Sequence, residues 1–177
     1  MLRLLAFLLV LTLASGFYVV ADGTYAIAED YAVRFDTRAA SGTFTGLAGE
    51  VVFDPSALED SRIDVTVQTA TISTGNATKD GHARGEAWFD AATYPTIGFE
   101  SAAFAKTRDG YTASGELTLR GVTRAVTLPF TFEEEEGGGV FRGTMTVDRK
   151  DYGIEGSFGQ ALVGDEVVVE LVVPVRG

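Results

Sequence analysis

The 177-residue chain contains no cysteine, which removes disulfide staples, thiolate zinc sites and cysteine nucleophiles. Histidine occurs once, at His82. One imidazole is too few for the converging ligand sets that hold transition metals. A serine or threonine nucleophile would have only that residue as its base, and no serine sits in a nucleophile-elbow glycine pattern. Positive charge is scarce: 14 Lys and Arg stand against 25 Asp and Glu, a net charge of −11. That balance repels phosphate backbones and anionic membrane surfaces, so nucleic acid is not an expected partner. Proline is limited to four residues. Beyond the N-terminal segment there is no apolar run of membrane-spanning length. Gly46 to Gly49 and Gly137 to Gly139 lack the lysine and following helix that a phosphate cradle needs, and are expected to form turns.

What the chain does have favours short strands joined by glycine turns: 21 glycines, with Val, Thr and Phe recurring throughout. The first 21 residues form a separate element, an exported protein's signal peptide or an N-terminal anchor. Arg3 precedes the nearly unbroken apolar stretch Leu4 to Leu13, and small residues offer cleavage after Gly16 or after Ala21. Residues 22–177 are expected to form one domain, periplasmic or secreted.

Along that domain apolar and polar residues alternate with a period of two, which places one buried face on each strand. From Thr112 to Arg120, for example, Ala113, Gly115, Leu117 and Leu119 share a face opposite Thr112, Ser114, Glu116, Thr118 and Arg120. Similar stripes run through Tyr25, Ile27, Tyr31, Val33 and Phe35; Leu47, Val51 and Phe53; Ile63, Val65 and Val67; and Ile97 and Phe99. Further along they run through Val126, Leu128, Phe130 and Phe132; Phe141, Met145 and Val147; and Val167, Val169, Leu171, Val173 and Val175. About eight antiparallel strands follow, with turns at Asp54-Pro55, Asp109-Gly110, Gly121 and Gly137 to Gly139. Between Thr78 and Trp88 lies the one helical segment, kept short by Gly81 and Gly85. Glu133 to Glu136 form a solvated hairpin connection; their adjacency is not the alternation of a calcium loop. Eight strands closed into a barrel would lose their edges, and the interior would hold either side chains or one small ligand. The periodicity alone favours plain core over a cavity.

Four separated segments carry a resemblance. Ile72-Ser73-Thr74-Gly75, Lys79-Asp80-Gly81-His82, Trp88-Phe89-Asp90 and Tyr94 to Ser101 follow one another in the order and spacing of the YceI-like family signature. Gly115 to Thr123 resembles its G-x-L-T-x-x-G-x-T segment, Asp148 to Ile154 its R-x-D-[FY]-G-I turn, and Val163 to Val167 the start of its final strand. The resemblance implies an all-β, lipocalin-like antiparallel barrel around an apolar cavity, in a non-catalytic periplasmic protein that encloses polyisoprenoids, isoprenoid quinones or similar lipids. It implies no cofactor. Two departures occur near the start: Asp30-Tyr31 replace the family's His-Ser pair, and Thr37-Arg38-Ala39 stand where a second histidine is frequent.

On this basis Phe35, Phe99, Leu117, Leu119, Val126, Leu128, Phe130, Met145, Val147, Val169 and Leu171 are the expected lining or core, and Glu29, Tyr31, His82 and Trp88 are candidates for the cavity mouth. Burial as plain core is the competing role for Trp88 and for its neighbour Phe89. For His82 the competing role is structural, hydrogen-bonded within the helical connection with Asp80 as cap or partner. Glu29 shares the parity of an inward face unless a bulge at Glu29-Asp30 turns it to solvent. The expected partner is a long apolar small molecule, with transient membrane contact for exchange and with oligomeric state, dimer included, left open. The alternative is a stress-response or protein-interaction domain whose barrel is packed solid.

Overall fold

A computed structural model describes residues 23–155 and 163–177; the leader expected over residues 1–21 lies outside them. Ten strands form one antiparallel sheet: β1 (Thr24–Ile27), β2 (Ala32–Asp36), β3 (Ser41–Phe44), β4 (Ala48–Val52), β5 (Arg62–Gln68), β6 (Thr96–Lys106), β7 (Tyr111–Leu119), β8 (Val122–Glu135), β9 (Gly138–Asp148) and β10 (Glu166–Arg176). Among the described residues a single α-helix, α1, spans Ala77–Arg84, and a 3-10 turn spans Arg149–Tyr152. No helix among the described residues is long and apolar enough to cross a membrane.

The sheet closes on itself. β1 pairs with both β4 and β10, so the ring β1-β4-β5-β6-β7-β8-β9-β10 has eight members, and β2 and β3 extend it beside β10. Closure satisfies both sheet edges.

The Tyr25–Phe35 stripe, expected as one strand, is two. Ile27 pairs with Val175 and Ala32 with Val172, so five residue steps on one side match three on β10. The two extra residues fall at the Glu29–Asp30 turn, where both side chains are exposed. Because the insertion is even, the inward parity survives it. β1 and β2 therefore run along the same partner strand as one interrupted stave. β3 is fastened to the segment after β5 by paired backbone bonds between Thr43 and Ser73, 2.9 and 3.0 Å.

The two ends of the barrel differ. At the end carrying the β6–β7 and β8–β9 turns, Phe53 is 0% exposed. Its ring centroid lies 5.1–6.0 Å from those of Phe104, Tyr111, Phe130, Phe132 and Phe141, four of these contacts edge-on. Edge-to-face packing of this kind is favoured by the aromatic quadrupole and leaves little void. That end is plugged. At the other end the interior is covered by α1, the residues leading into and out of it, and the Arg149–Tyr152 turn. There the two-residue β7–β8 connection puts both Arg120 (φ 51°) and Gly121 (φ 72°) in the left-handed region, as a tight hairpin turn of this hand requires. The Arg120 guanidinium donates to the carbonyls of Gly153 (2.7 Å) and Glu86 (2.9 Å), tying that turn to the cover.

Candidate functional site

Above the aromatic plug the barrel is hollow. A cavity of about 520 Å³ is bordered by inward residues of all ten strands, a size within the ordinary range of small-molecule sites. Val51, Ile63, Val65 and Val67 form one side, and Phe99, Leu117, Leu119 and Leu128 the next. Met145, Val147, Val169 and Leu171 complete the wall, with Phe130 and Phe141 as the floor shared with the plug. Gly143 is the gap in the stripe of β9, between Phe141 and Met145, and leaves space where its neighbours project side chains.

The cover is assembled from short-range polar bonds. Asn76 caps α1, its side-chain oxygen accepting from the Thr78 and Lys79 amides at 3.0 and 3.1 Å. Asp80, buried although charged, accepts from the Thr74 amide and hydroxyl, both at 2.7 Å. Those two bonds, with a smaller contribution from the Arg84 charge, hold its carboxyl below the usual carboxylate value. Arg84 reaches back to the carbonyls of Ala70 (2.8 Å) and Ile72 (3.2 Å). Ile72 itself is 2% exposed and anchors the segment in the core. This scaffold sets Thr74, Lys79, His82, Ala83, Trp88 and Phe89 around one side of the cavity, facing Thr37, Ala39 and Ala40 of the β2–β3 turn. These two groups form the mouth.

Arg149 borders the cavity from the third side of the cover, at 4% exposure. Its guanidinium donates to the Gly164, Ile154 and Glu155 carbonyls and pairs with Asp165 at 3.0 Å. The Trp88 ring centroid lies 5.6 Å from its Cζ, within cation–π range. A buried charge requires this degree of pairing. Asp165 also receives Lys150 at 2.7 Å, and that bond is the main cause of its lowered carboxyl pKa.

Of the expected lining, Phe35, Phe99, Leu117, Leu119, Leu128, Phe130, Met145, Val147, Val169 and Leu171 border the cavity. Val126 does not; it is half-buried against the core cluster that includes Tyr152 and Ile154. Of the expected mouth residues, His82 and Trp88 border the cavity, as does Phe89. Glu29 is turned to solvent by the inserted turn and contributes nothing to the cavity. Tyr31 also stays outside it, its hydroxyl accepting from the Leu47 amide at 3.0 Å. The expected Asp80–His82 partnership is replaced: Asn76 is the cap, Thr74 is the partner of Asp80, and the His82 ring makes no hydrogen bond among the described residues. Lys79 and Thr74 also line the mouth; both belong to the quoted motifs, where no feature of the sequence marks them as mouth residues. Thr37, Ala39 and Ala40 carried no signal except that the family pattern breaks there. No group of three or more His, Asp or Glu among the described residues is arranged to hold a metal ion.

Comparison with known proteins gives a consistent picture. The sequence model of the YceI-like domain matches residues 25–175. A UPF0312 protein of Pseudomonas savastanoi pv. phaseolicola is 31% identical over 151 residues, covering 81% of this chain and 79% of that protein. Among solved structures, Burkholderia cenocepacia BcnA superposes with a TM-score of 0.79 at 24% identity, over 86% of this chain and all of that one. A polyisoprenoid binding domain from Saccharophagus degradans, implicated in plant cell wall breakdown, superposes with a TM-score of 0.67 at 15% identity, over 88% and 98% of the two chains.

Proposed function

The chain belongs to the YceI-like domain family, and from that premise we propose that it is a non-catalytic carrier or store whose barrel encloses the apolar chain of a lipid. The observation that carries this reading is the 520 Å³ cavity with an aliphatic and aromatic wall, blind at the plugged end and open at the mouth. The polyisoprenoid-binding description of the Saccharophagus relative supports it. A barrel packed solid, the interaction-domain alternative, accounts for the Phe53 end but not for the space above it.

At roughly 30 Å³ per water-sized group, the cavity takes on the order of 17 chain carbons, about three prenyl units. Each buried methylene gains about 0.8 kcal/mol, so one five-carbon unit contributes about 4 kcal/mol before the cost of ordering the guest. A longer polyisoprenoid or quinone would leave its remainder outside the mouth. His82, the only imidazole, has no hydrogen-bonded serine, threonine or carboxylate beside it among the described residues, so it lacks the partners of a general base. Residues 22–177 act as the carrier domain, and residues 1–21 serve as a signal peptide or N-terminal anchor for export to the periplasm or beyond.

The test is extraction of the purified protein with organic solvent followed by mass spectrometry of the extract. A single-chain apolar molecule in near-stoichiometric amount is expected. Empty protein that also fails to bind probes of 15 to 20 carbons, at about the capacity set by cavity volume, would refute the reading.

A further inference from the structure

The floor of the tunnel is a pair of rings held from behind. Phe130 and Phe141 border the cavity on one side and the plug on the other, their centroids 5.7 Å apart. Beneath them, Phe53 lies 5.4 Å from each. Phe132 backs Phe141 at 4.5 Å, and Tyr111 stacks on Phe130 at 5.5 Å. A guest pressing on this floor would have to overpack a closed aromatic core, which costs more than one further buried carbon gains. Immediately above it the space opens, because Gly143 is the residue paired with Phe130 across the β8–β9 ladder.

A rigid floor selects by length when the competing solvent is a bilayer. Carbons inside the barrel and carbons inside a membrane are both removed from water, so neither side gains by their transfer. A carbon that the barrel cannot admit stays in water at the mouth, and its return to the membrane is favoured about fourfold, the equivalent of about 0.8 kcal/mol. The volume of about 520 Å³ admits on the order of 17 carbons at roughly 30 Å³ each. Every carbon beyond that limit shifts the guest toward the bilayer, and chains within it carry no such penalty.

We propose that Phe130 and Phe141 set the length of the enclosed chain, and that the guest exchanged with membranes is a single chain of no more than about 17 carbons. A farnesyl-sized or hexadecyl-sized chain meets that limit, and a long polyprenyl chain does not. This rests on the carrier reading and narrows its ligand class by size, with no requirement on the head group.

Saturated primary alcohols of about 12 to about 20 carbons, a range that brackets the capacity, are equilibrated between the purified protein, stripped of lipid, and phosphatidylcholine vesicles that are then sedimented. The head is the same throughout, so only the chain varies. The ratio of protein-bound to vesicle-bound alcohol should stay level up to about 17 carbons and then fall about fourfold per carbon, on the order of fiftyfold by about 20 carbons. Phe141→Ala removes six ring carbons and, with partial relaxation of the surroundings, should move the break outward by about four carbons. Val173 borders the cavity and pairs with Phe141 across the β9–β10 ladder. Val173→Phe adds about four carbons there and should move the break inward by about as many, at roughly 30 Å³ each; it decides the question if the alanine variant does not fold. Phe104 packs on Phe53 and Phe130 at 6.0 and 6.2 Å without bordering the cavity, so Phe104→Ala should leave the break in place. A ratio that stays level through the longest alcohol, or a break that neither Phe141→Ala nor Val173→Phe moves, would overturn the length assignment alone. A shift in Phe104→Ala as large as that in Phe141→Ala would overturn it as well. Failure of every alcohol to leave the vesicles for the protein would overturn the carrier reading with it.

Discussion

Two glycines on the inner face of β9 provide a paired test of where the barrel is hollow. Gly143 borders the cavity, and an ideal Cβ there would meet the Leu128 Cδ1 at 3.0 Å and the Pro129 carbonyl oxygen at 3.2 Å. The first is the free end of a flexible side chain. Gly139, four residues away on the same face, would place its Cβ 2.5 Å from the Phe132 ring and 2.7 Å from the Glu133 carbonyl oxygen, against the plug and the backbone. Gly143→Leu adds four carbons, roughly 120 Å³ at ~30 Å³ each, close to a quarter of the cavity. Burying those carbons offsets the crowding, so apo stability should stay within about 1 kcal/mol of the original. The guest loses room for the same four carbons, about 3 kcal/mol at ~0.8 kcal/mol each, or on the order of a hundredfold in affinity. Gly139→Leu should instead cost about 1–3 kcal/mol by overpacking, lowering Tm by roughly 2–12 °C. Thermal unfolding of lipid-free protein and titration with a 16-carbon probe distinguish the two. A Gly143→Leu variant that binds normally, or that falls in Tm as far as Gly139→Leu, would refute the assignment of void and plug.

Phe53→Ala should cost about 3–5 kcal/mol, because it removes the ring on which the aromatic cluster converges; urea midpoints check this, and the same variant should admit a longer chain by deepening the floor. Asp80→Asn should be less stable at pH 7 with a flattened acid response. The Asp80 carboxyl is held below its ordinary value of 3.8, so its contribution is complete above that value and is lost as pH falls through the lower, folded-state pKa; denaturant midpoints from pH 7 to 3 measure it. His82→Ala should leave probe affinity within about twofold, since the ring has no fixed partner to position it and rim contacts contribute little; a tenfold loss by the same titration would assign it a direct contact.

The strands were legible because one face of each is buried, and the closed ring follows from eight such faces. The interruption at Glu29–Asp30 was hidden by its own evenness: two inserted residues restore the alternation, so the stripe from Tyr25 to Phe35 looks continuous although Glu29 faces solvent. Parity also could not separate wall from core. Val126 and Leu128 share a face of β8, yet only Leu128 meets the cavity, a difference set by how the Arg149–Tyr152 turn and the residues after it cover one end. The mouth was the least legible part. It joins the β2–β3 turn to residues some 35 to 50 positions away, and no periodicity links those segments. Lys79 stood in a quoted motif, but only the adjacency of Thr37 and Ser41 gives its charge a setting.

The blind end and the polar mouth together constrain how such a carrier works. A bilayer interior solvates a hydrocarbon chain about as well as this wall does, so the roughly 0.8 kcal/mol per methylene holds the guest against water but not against a membrane. What differs between the two is the head group. In a bilayer it sits at the lipid–water interface, whereas at the mouth it would meet Thr37, Thr74, Lys79 and His82. With one opening among the described residues, the chain enters tail-first and leaves head-first through the same ring of residues, with no route through the Phe53 cluster. Loading and delivery are then the same step run in opposite directions, and the direction is set by the lipid content of the membrane encountered. Exchange rates with vesicles should therefore depend on vesicle composition, and not on any energy-consuming step in the barrel.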